Sequence, residues 1–256
     1  MPGKVCVFVD GENFRHAIVE LFSDVFNRDD YLPKNADWAA LFDWIVSEAT
    51  KGSGGERLRT YWYVSESISY FPYKFPGADH ETEKLKKVLC KDPELERELR
   101  SLRGNELIEK MKKVVEALQE RRKKMQNRFN GWRDIQGSIS SRCRAVEFRR
   151  AGAIPYNLFT NKFDREKAVD VKLATDLIVL RDIYDVAIIV SGDQDYVPAV
   201  EVVKDSGKSV VNIAFLKRSG TLLPGGARLL NQATDWSCSI PYDDLLTRLN
   251  LKPEQA

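Results

Sequence analysis

The chain has 256 residues, with 40 Lys and Arg against 38 Asp and Glu, a formal net charge of +2 and a mean hydropathy of −0.39. At 43% hydrophobic and 30% charged residues it reads as neither a membrane protein nor a disordered polyelectrolyte, and its total charge singles out no nucleic-acid partner. The length is ample for a buried core, as one large domain or one domain carrying an insertion.

In chain order, Val5–Val9 reads as a buried strand; Asp10 interrupts it, and it is too short for a signal-peptide core or a membrane span. Asp37–Lys51 has helical spacing, with Trp38, Leu41, Phe42, Ile45 and Val46 on one side and Asp37 as N-cap. Arg57–Val64 is an aromatic strand. Residues 75–150 break the rhythm: they are rich in charged helix formers, and Glu106–Arg128 predicts a long helix with Leu107, Met111, Val114, Val115 and Leu118 in one stripe. Lys167–Arg181 and Tyr196–Lys204 are further helical patterns, flanking the buried strand Val186–Val190 and leading to Ser209–Phe215. Strands alternating with helices predict an α/β fold with a doubly wound, mainly parallel sheet. The four cysteines, Cys6, Cys90, Cys143 and Cys238, show no metal or disulfide spacing, so a reduced, cytoplasmic protein is expected.

Asp10 ends a buried strand in Val-Phe-Val-Asp-Gly-Glu-Asn, and Asp193 follows another in Ser191-Gly192-Asp193-Gln194-Asp195. In such sheets the carboxyl ends of strands are where ligands bind. Gly11 is read as the residue that permits the tight turn, with Asn13 close enough to cap the next helix or reach back. Asp170 lies on the stripe of Ala174 and Leu177, facing the sheet, whereas Asp176 falls on the helix flank. Carboxylates gathered at one edge repel unless a cation keeps them ionised, and hard oxygen ligands suit Mg²⁺ or Mn²⁺. Neither histidine, His16 or His80, sits in a nucleophile motif, which leaves metal-assisted hydrolysis as the sharper chemistry.

Three blocks, Val7–Asn13, Lys167–Asp176 and Ile189–Tyr196, together with a weaker tail from Leu230 to Trp236, resemble the NYN domain family, PIN-like nucleases that include the LabA-like proteins. The resemblance covers residues 4–74 and 151–240. It implies a PIN-like fold and Mg²⁺- or Mn²⁺-dependent cleavage of RNA. Asp10, Asp170 and Asp193 would hold the metal, and Asn13 and Asp195 would join them in catalysis, with Ser191 and Asp176 in support. Ala168 stands where Gly is common, and Gln194, Tyr196 and Pro198 alter the usual Ser-Gly-Asp-Ser-Asp-Phe form. The domain organisation expected is a nuclease-like domain of residues 1–74 and 151–256 around a helical insertion, 75–150.

Residues 121–150 hold ten basic side chains against Asp134 and Glu147. As a phosphate-tracking arm, Arg121, Arg122, Lys123, Lys124, Arg128 and Arg133 would neutralise an RNA backbone, while Trp132 or Phe129 offers a stacking face. Blander readings stand beside these: Asp10, Asn13, Asp193 and Asp195 as helix caps, Asp170 as a carboxylate favoured by the helix dipole, and Asp176 in an ion pair. The basic stretch can be a solvated helix end balanced by Glu94–Glu98, and the tyrosines around Tyr61, Tyr70 and Tyr73 can be packing residues. Ribonuclease is the reading adopted. A non-catalytic RNA-binding adaptor is the alternative, and a haloacid-dehalogenase-like phosphotransferase is disfavoured because Glu12 replaces that family's second Asp. Homo-oligomerisation is left open.

Overall fold

The computed structural model describes residues 3–23, 32–33, 36–164, 168–223 and 228–251. Among these, seven strands form one sheet in the order β4-β3-β2-β1-β5-β6-β7. Strand β1 (Gly3–Asp10) leads directly into helix α1 (Gly11–Leu21), and α2 (Trp38–Ala49) precedes the long β2 (Gly55–Phe71). Helices α3 (Thr82–Leu89), α4 (Pro93–Arg100) and α5 (Gly104–Arg142) then lead to β3 (Val146–Asn157) and the short β4 (Lys162–Phe163). The chain finishes as α6 (Val169–Val179), β5 (Val186–Val190), α7 (Val197–Asp205), β6 (Ser209–Phe215), α8 (Arg228–Ala233), β7 (Trp236–Ile240) and α9 (Tyr242–Arg248). Pairing is parallel for β1 with β2 and β5, for β5 with β6 and for β6 with β7, and antiparallel for β3 with β4.

Strand alternation explains the two sides of the sheet. Cys6, Phe8, Tyr61, Tyr63 and Ile189 pack into one core with Val169, Leu173 and Leu177 of α6 and Ala199 and Val200 of α7. On the other side Phe14, Trp38, Phe42 and Trp62 meet edge to face or tilted, so α1 and α2 cover that face. Asp10 follows Cys6 and Phe8 by the period of two, and so belongs to the α6 and α7 face.

Several local expectations need amendment. The insertion helix runs on to Arg142, because Met125, Phe129, Trp132, Gln136, Ile139 and Cys143 continue a buried stripe at spacings of three and four beyond Arg128. Helix α6 begins at Val169, and Lys167 lies outside the described residues. Its buried stripe is Val169, Leu173, Asp176 and Leu177, with Asp170 half-buried at the edge; Asp176, expected on the flank, takes the covered position. Gly11 serves space and not a turn: a Cβ there would stand 2.2 Å from the Tyr63 carbonyl oxygen and 2.9 Å from Val64.

The chain divides into two compact units. The first comprises residues 1–64, 134–151 and 168–256; the second comprises residues 65–133 and 152–167.

Candidate functional site

The first unit brings three separate pieces of chain to Asp10. The carboxylate is 4% exposed. One oxygen, Oδ1, caps α1 by accepting from the Asn13 amide at 3.1 Å. The other, Oδ2, accepts from the Ser191 hydroxyl at 2.9 Å and lies 3.1 Å from the Tyr196 hydroxyl. The cap reading and the site reading are therefore compatible, since each uses a different oxygen. Burial, with a smaller contribution from the Asp170 charge, pushes the Asp10 pKa up from 3.8 to about 6 despite these donors.

Tyr196 also lies 3.0 Å from Asp170 Oδ1. The two carboxylate oxygens facing the phenol are thus no more than about 6 Å apart. A phenol carries one proton, so only one carboxylate can accept it at a time; the other meets a lone pair unless it is itself protonated. Burial between two carboxylates drives the phenol's own pKa far upward. Tyr196 is the member of this group that the sequence reading did not name as a site residue. Its signal was present, since a hydroxyl stands where the family form has Phe.

Behind β5, Ser191 accepts from the Asp193 amide at 3.0 Å, and the Asn13 side-chain oxygen accepts from the Gly192 amide at 2.9 Å. These bonds lock the ends of β1 and β5 together. Asp193 Oδ1 accepts from the Asp195 amide and caps the short 3₁₀ turn Gln194–Tyr196, and Asp195 is exposed. Among the described residues, no three His, Cys, Asp or Glu side chains gather in a group that could hold a metal ion. Of the aspartates expected to share a cation, Asp10 and Asp170 face one hydroxyl, and Asp193 Oδ1 caps its own turn.

Asp176 belongs to a different network. It is 5% exposed and accepts from Arg149 Nη1 at 2.5 Å, Lys172 Nζ at 2.9 Å and the Tyr63 hydroxyl at 3.1 Å. Burial alone would raise its pKa, but the bonds from Lys172 and Arg149 outweigh it and hold the carboxyl below the usual value. Arg149 also lies 4.0 Å over the Tyr61 ring and bonds Glu147, which in turn pairs with Arg59. Asp176 is thus an ion-pair residue, with no bond to the Asp10 group.

In the second unit the basic stretch is only partly available to a ligand. Arg121 Nη1 donates to the carbonyls of Leu158 and Phe159. Arg122 donates to the Tyr73 carbonyl and lies 4.7 Å over the Tyr70 ring. Trp132 is 6% exposed, against Phe129 and Phe163 and under Arg128, so the stacking faces expected of Trp132 and Phe129 are covered by packing. Lys123, Lys124 and Arg133 are exposed. Of the tyrosines, Tyr70 is buried and bonded to Gln126, whereas Tyr73 is 79% exposed.

The NYN domain model matches residues 97–228, just over half of the chain. That span takes in the Asp170 and Asp193 blocks and leaves out the Asp10 block. A crystal structure of a protein of unknown function from Vibrio parahaemolyticus is similar at 14% identity and a TM-score of 0.42, covering 93% of each chain. No curated protein matches the chain. Among the described residues no helix is long and apolar enough to cross a membrane.

Proposed function

Because the chain belongs to the NYN domain family, whose members are generally nucleases, we propose that it hydrolyses phosphodiester bonds of RNA at a divalent-cation site centred on Asp10 and Asp170. The observation that supports this reading is the carboxylate pair joined by the Tyr196 hydroxyl at the carboxyl end of β1, beside the strand β5 that follows it in the sheet. The residues fit the group they would hold. Asp10 is a buried carboxylate with no cation among its described partners, and a second carboxylate faces it across one hydroxyl. Mg²⁺ typically takes one or two carboxylates and leaves its remaining positions to water and substrate phosphate, so a pair suffices. A bound Mg²⁺ or Mn²⁺ supplies charge stabilisation at phosphorus and an activated water.

The chain's own groups do the positioning. The Asn13 amide and the Ser191 hydroxyl fix the Asp10 carboxylate in rotation. Tyr196 keeps Asp10 and Asp170 together and donates its one hydrogen bond to whichever carboxylate oxygen is left facing it. Asn13 Oδ1 is engaged by Gly192, which leaves its Nδ2 to donate to a phosphate oxygen. Asp193 and Asp195, on the turn that follows β5, are the carboxylates that would take a proton or hold a water. Lys123, Lys124 and Arg133 are the exposed basic residues that would track the backbone. The division into a nuclease-like domain of residues 1–74 and 151–256 with an insertion of residues 75–150 belongs to this proposal.

Purified full-length protein should degrade labelled single-stranded RNA with Mg²⁺ or Mn²⁺, and EDTA, Asp10→Asn or Asp170→Asn should each abolish it. Cleavage indifferent to all three treatments would sink the mechanism. A second reading is a non-catalytic RNA-binding adaptor, favoured by the exposed Lys123, Lys124 and Arg133, whose phosphate contacts need no metal. RNA binding that persists in EDTA, with no cleavage by the loaded protein, would decide for it.

A further inference from the structure

We propose that the cleft beside the Asp10 group receives one unpaired nucleobase of the RNA and so sets base preference next to the cut, an inference that rests on the ribonuclease reading above. The cavity, about 190 Å³, lies at the carboxyl ends of β5 and β6, between α1 and the turn carrying Leu222 and Leu223. In an open parallel sheet this edge is where ligands settle. Asn13, Ser191 and Gly192 line the cleft and are also the residues that lock Asp10 to the end of β5. A substrate whose reacting phosphate stands at Asp10 therefore has its neighbouring nucleoside at the mouth of the cleft.

Wall chemistry narrows the occupant. Phe14, Ile213, Phe215 and Leu222 give apolar surface, and the polar side chains besides Asn13 and Ser191 are His16 and Glu20. No Lys or Arg is among the described lining residues, and the Glu20 carboxylate on the wall is paired with Lys217 at 3.4 Å, so the cleft does not suit a phosphate. A mostly apolar wall with a few placed hydrogen-bonding groups suits a neutral planar ring whose edge carries donors and acceptors. The volume lies below the roughly 300–1,000 Å³ of sites for larger ligands, which limits the occupant to one ring system and excludes a base pair. The wall is preformed, because the Phe14 ring is held edge-on by Trp38 and Trp62 and lies tilted against Phe215. Leu222 remains 46% exposed beside it, an apolar rim that a base would cover.

Two measurements on the full chain test this. In the first, a randomised single-stranded RNA is cut with Mn²⁺ and the ends are sequenced. Wild type should favour one base at one position beside the cut by about tenfold or more. Ala17→Leu, which fills the cleft from a buried wall, and Leu222→Asp, which charges its exposed rim and spares the core if the first variant misfolds, should each reduce that preference to less than about threefold. In the second, free nucleosides titrated without metal should shift the backbone amide signals of Asn13 to Ala17 and Gly192. RNA cleavage with a flat base profile and no such shifts overturns the cleft and leaves the ribonuclease reading intact, as does a preference unchanged in both folded variants. Shifts at those amides without any cleavage support the cleft and overturn the ribonuclease reading. Neither shifts nor cleavage overturns both.

Discussion

Two aspartates lie at nearly the same depth on one side of the sheet, Asp10 at 4% and Asp176 at 5% exposure, yet their surroundings are opposite. Asp176 meets a guanidinium, an ammonium and a phenol, and its pKa is held below the ordinary value. Asp10 meets an amide, two hydroxyls and a second carboxylate across one of them, and its pKa is pushed up to about 6. The Asp176 group is complete in itself. Among the described residues the Asp10 carboxylate itself meets donors but no cation, which is the arrangement expected of a carboxylate that works and not of one that braces the fold.

The largest effect that could break this comparison is on turnover. Asp10→Asn should lower RNA cleavage by at least about 100-fold, while Asp176→Asn, measured on the fraction that remains folded, should keep it within about tenfold of wild type. Equal loss in both, with both folded by circular dichroism, would erase the distinction. Stability should sort the same residues in reverse. Asp176→Ala removes one partner from a buried ion pair and should cost about 3 kcal/mol in urea unfolding, toward the lower end because Lys172 is exposed enough to rehydrate. Asp10→Asn should stabilise the metal-free protein near neutral pH. A rise from 3.8 to about 6 corresponds to about 3 kcal/mol as an upper bound. The amide would donate to the Tyr196 oxygen and free the phenol proton for Asp170.

The two groups also have opposite pH windows. Asp10 has a folded pKa above its unfolded value, so its contribution is full below pH 3.8 and is lost as pH rises through about 6. Asp176 has a folded pKa below its unfolded value, so its contribution is present above 3.8 and is lost as pH falls through the depressed value. Metal-free protein should therefore gain melting temperature on going from about pH 7 to about pH 5, and Asp10→Asn should flatten that gain. Added Mn²⁺ should raise the melting temperature more at the higher pH, because at the lower one the cation must displace a proton from Asp10. A metal effect that is independent of pH would place the cation away from Asp10.

Much of this contrast was legible in the sequence, and its missing parts have physical reasons. Strands β1, β5 and β6 announce themselves as short β-branched runs, and Asp10, Ser191 and Asn13 follow from their position at strand ends. Residues on α6 were harder. Asp170 and Asp176 differ by the helix's starting angle, and a helix that begins at Val169 turns Asp176 inward and Asp170 to the edge. Arg149 could only be read as one of a run of cations, because its partners Asp176 and Tyr61 are far away in sequence. Trp132 and Phe129 looked like a base-stacking surface from composition. That composition does not separate a stacking face from a packing face, and the continuing stripe of α5 buries both.

The smallest prediction concerns the residue at which both groups begin. Ala168 precedes α6, the helix that carries Asp170 and Asp176, with φ 83° and ψ −13° and no side-chain capping bond. An L side chain in this left-handed region costs roughly 1–2 kcal/mol. Glycine removes that strain but loses roughly 0.4–1 kcal/mol through the greater freedom of the unfolded chain. Ala168→Gly should therefore stabilise by about 0.5 kcal/mol, measurable as a shift in the urea midpoint. Cleavage should stay within about twofold, because Asp170 is held by its contact with Tyr196 and Asp176 by its ion pairs. A stability gain accompanied by lost cleavage would mean that the strain itself aims Asp170. In that case the backbone at Ala168, and not only the partners of each carboxylate, would separate the working carboxylate from the bracing one.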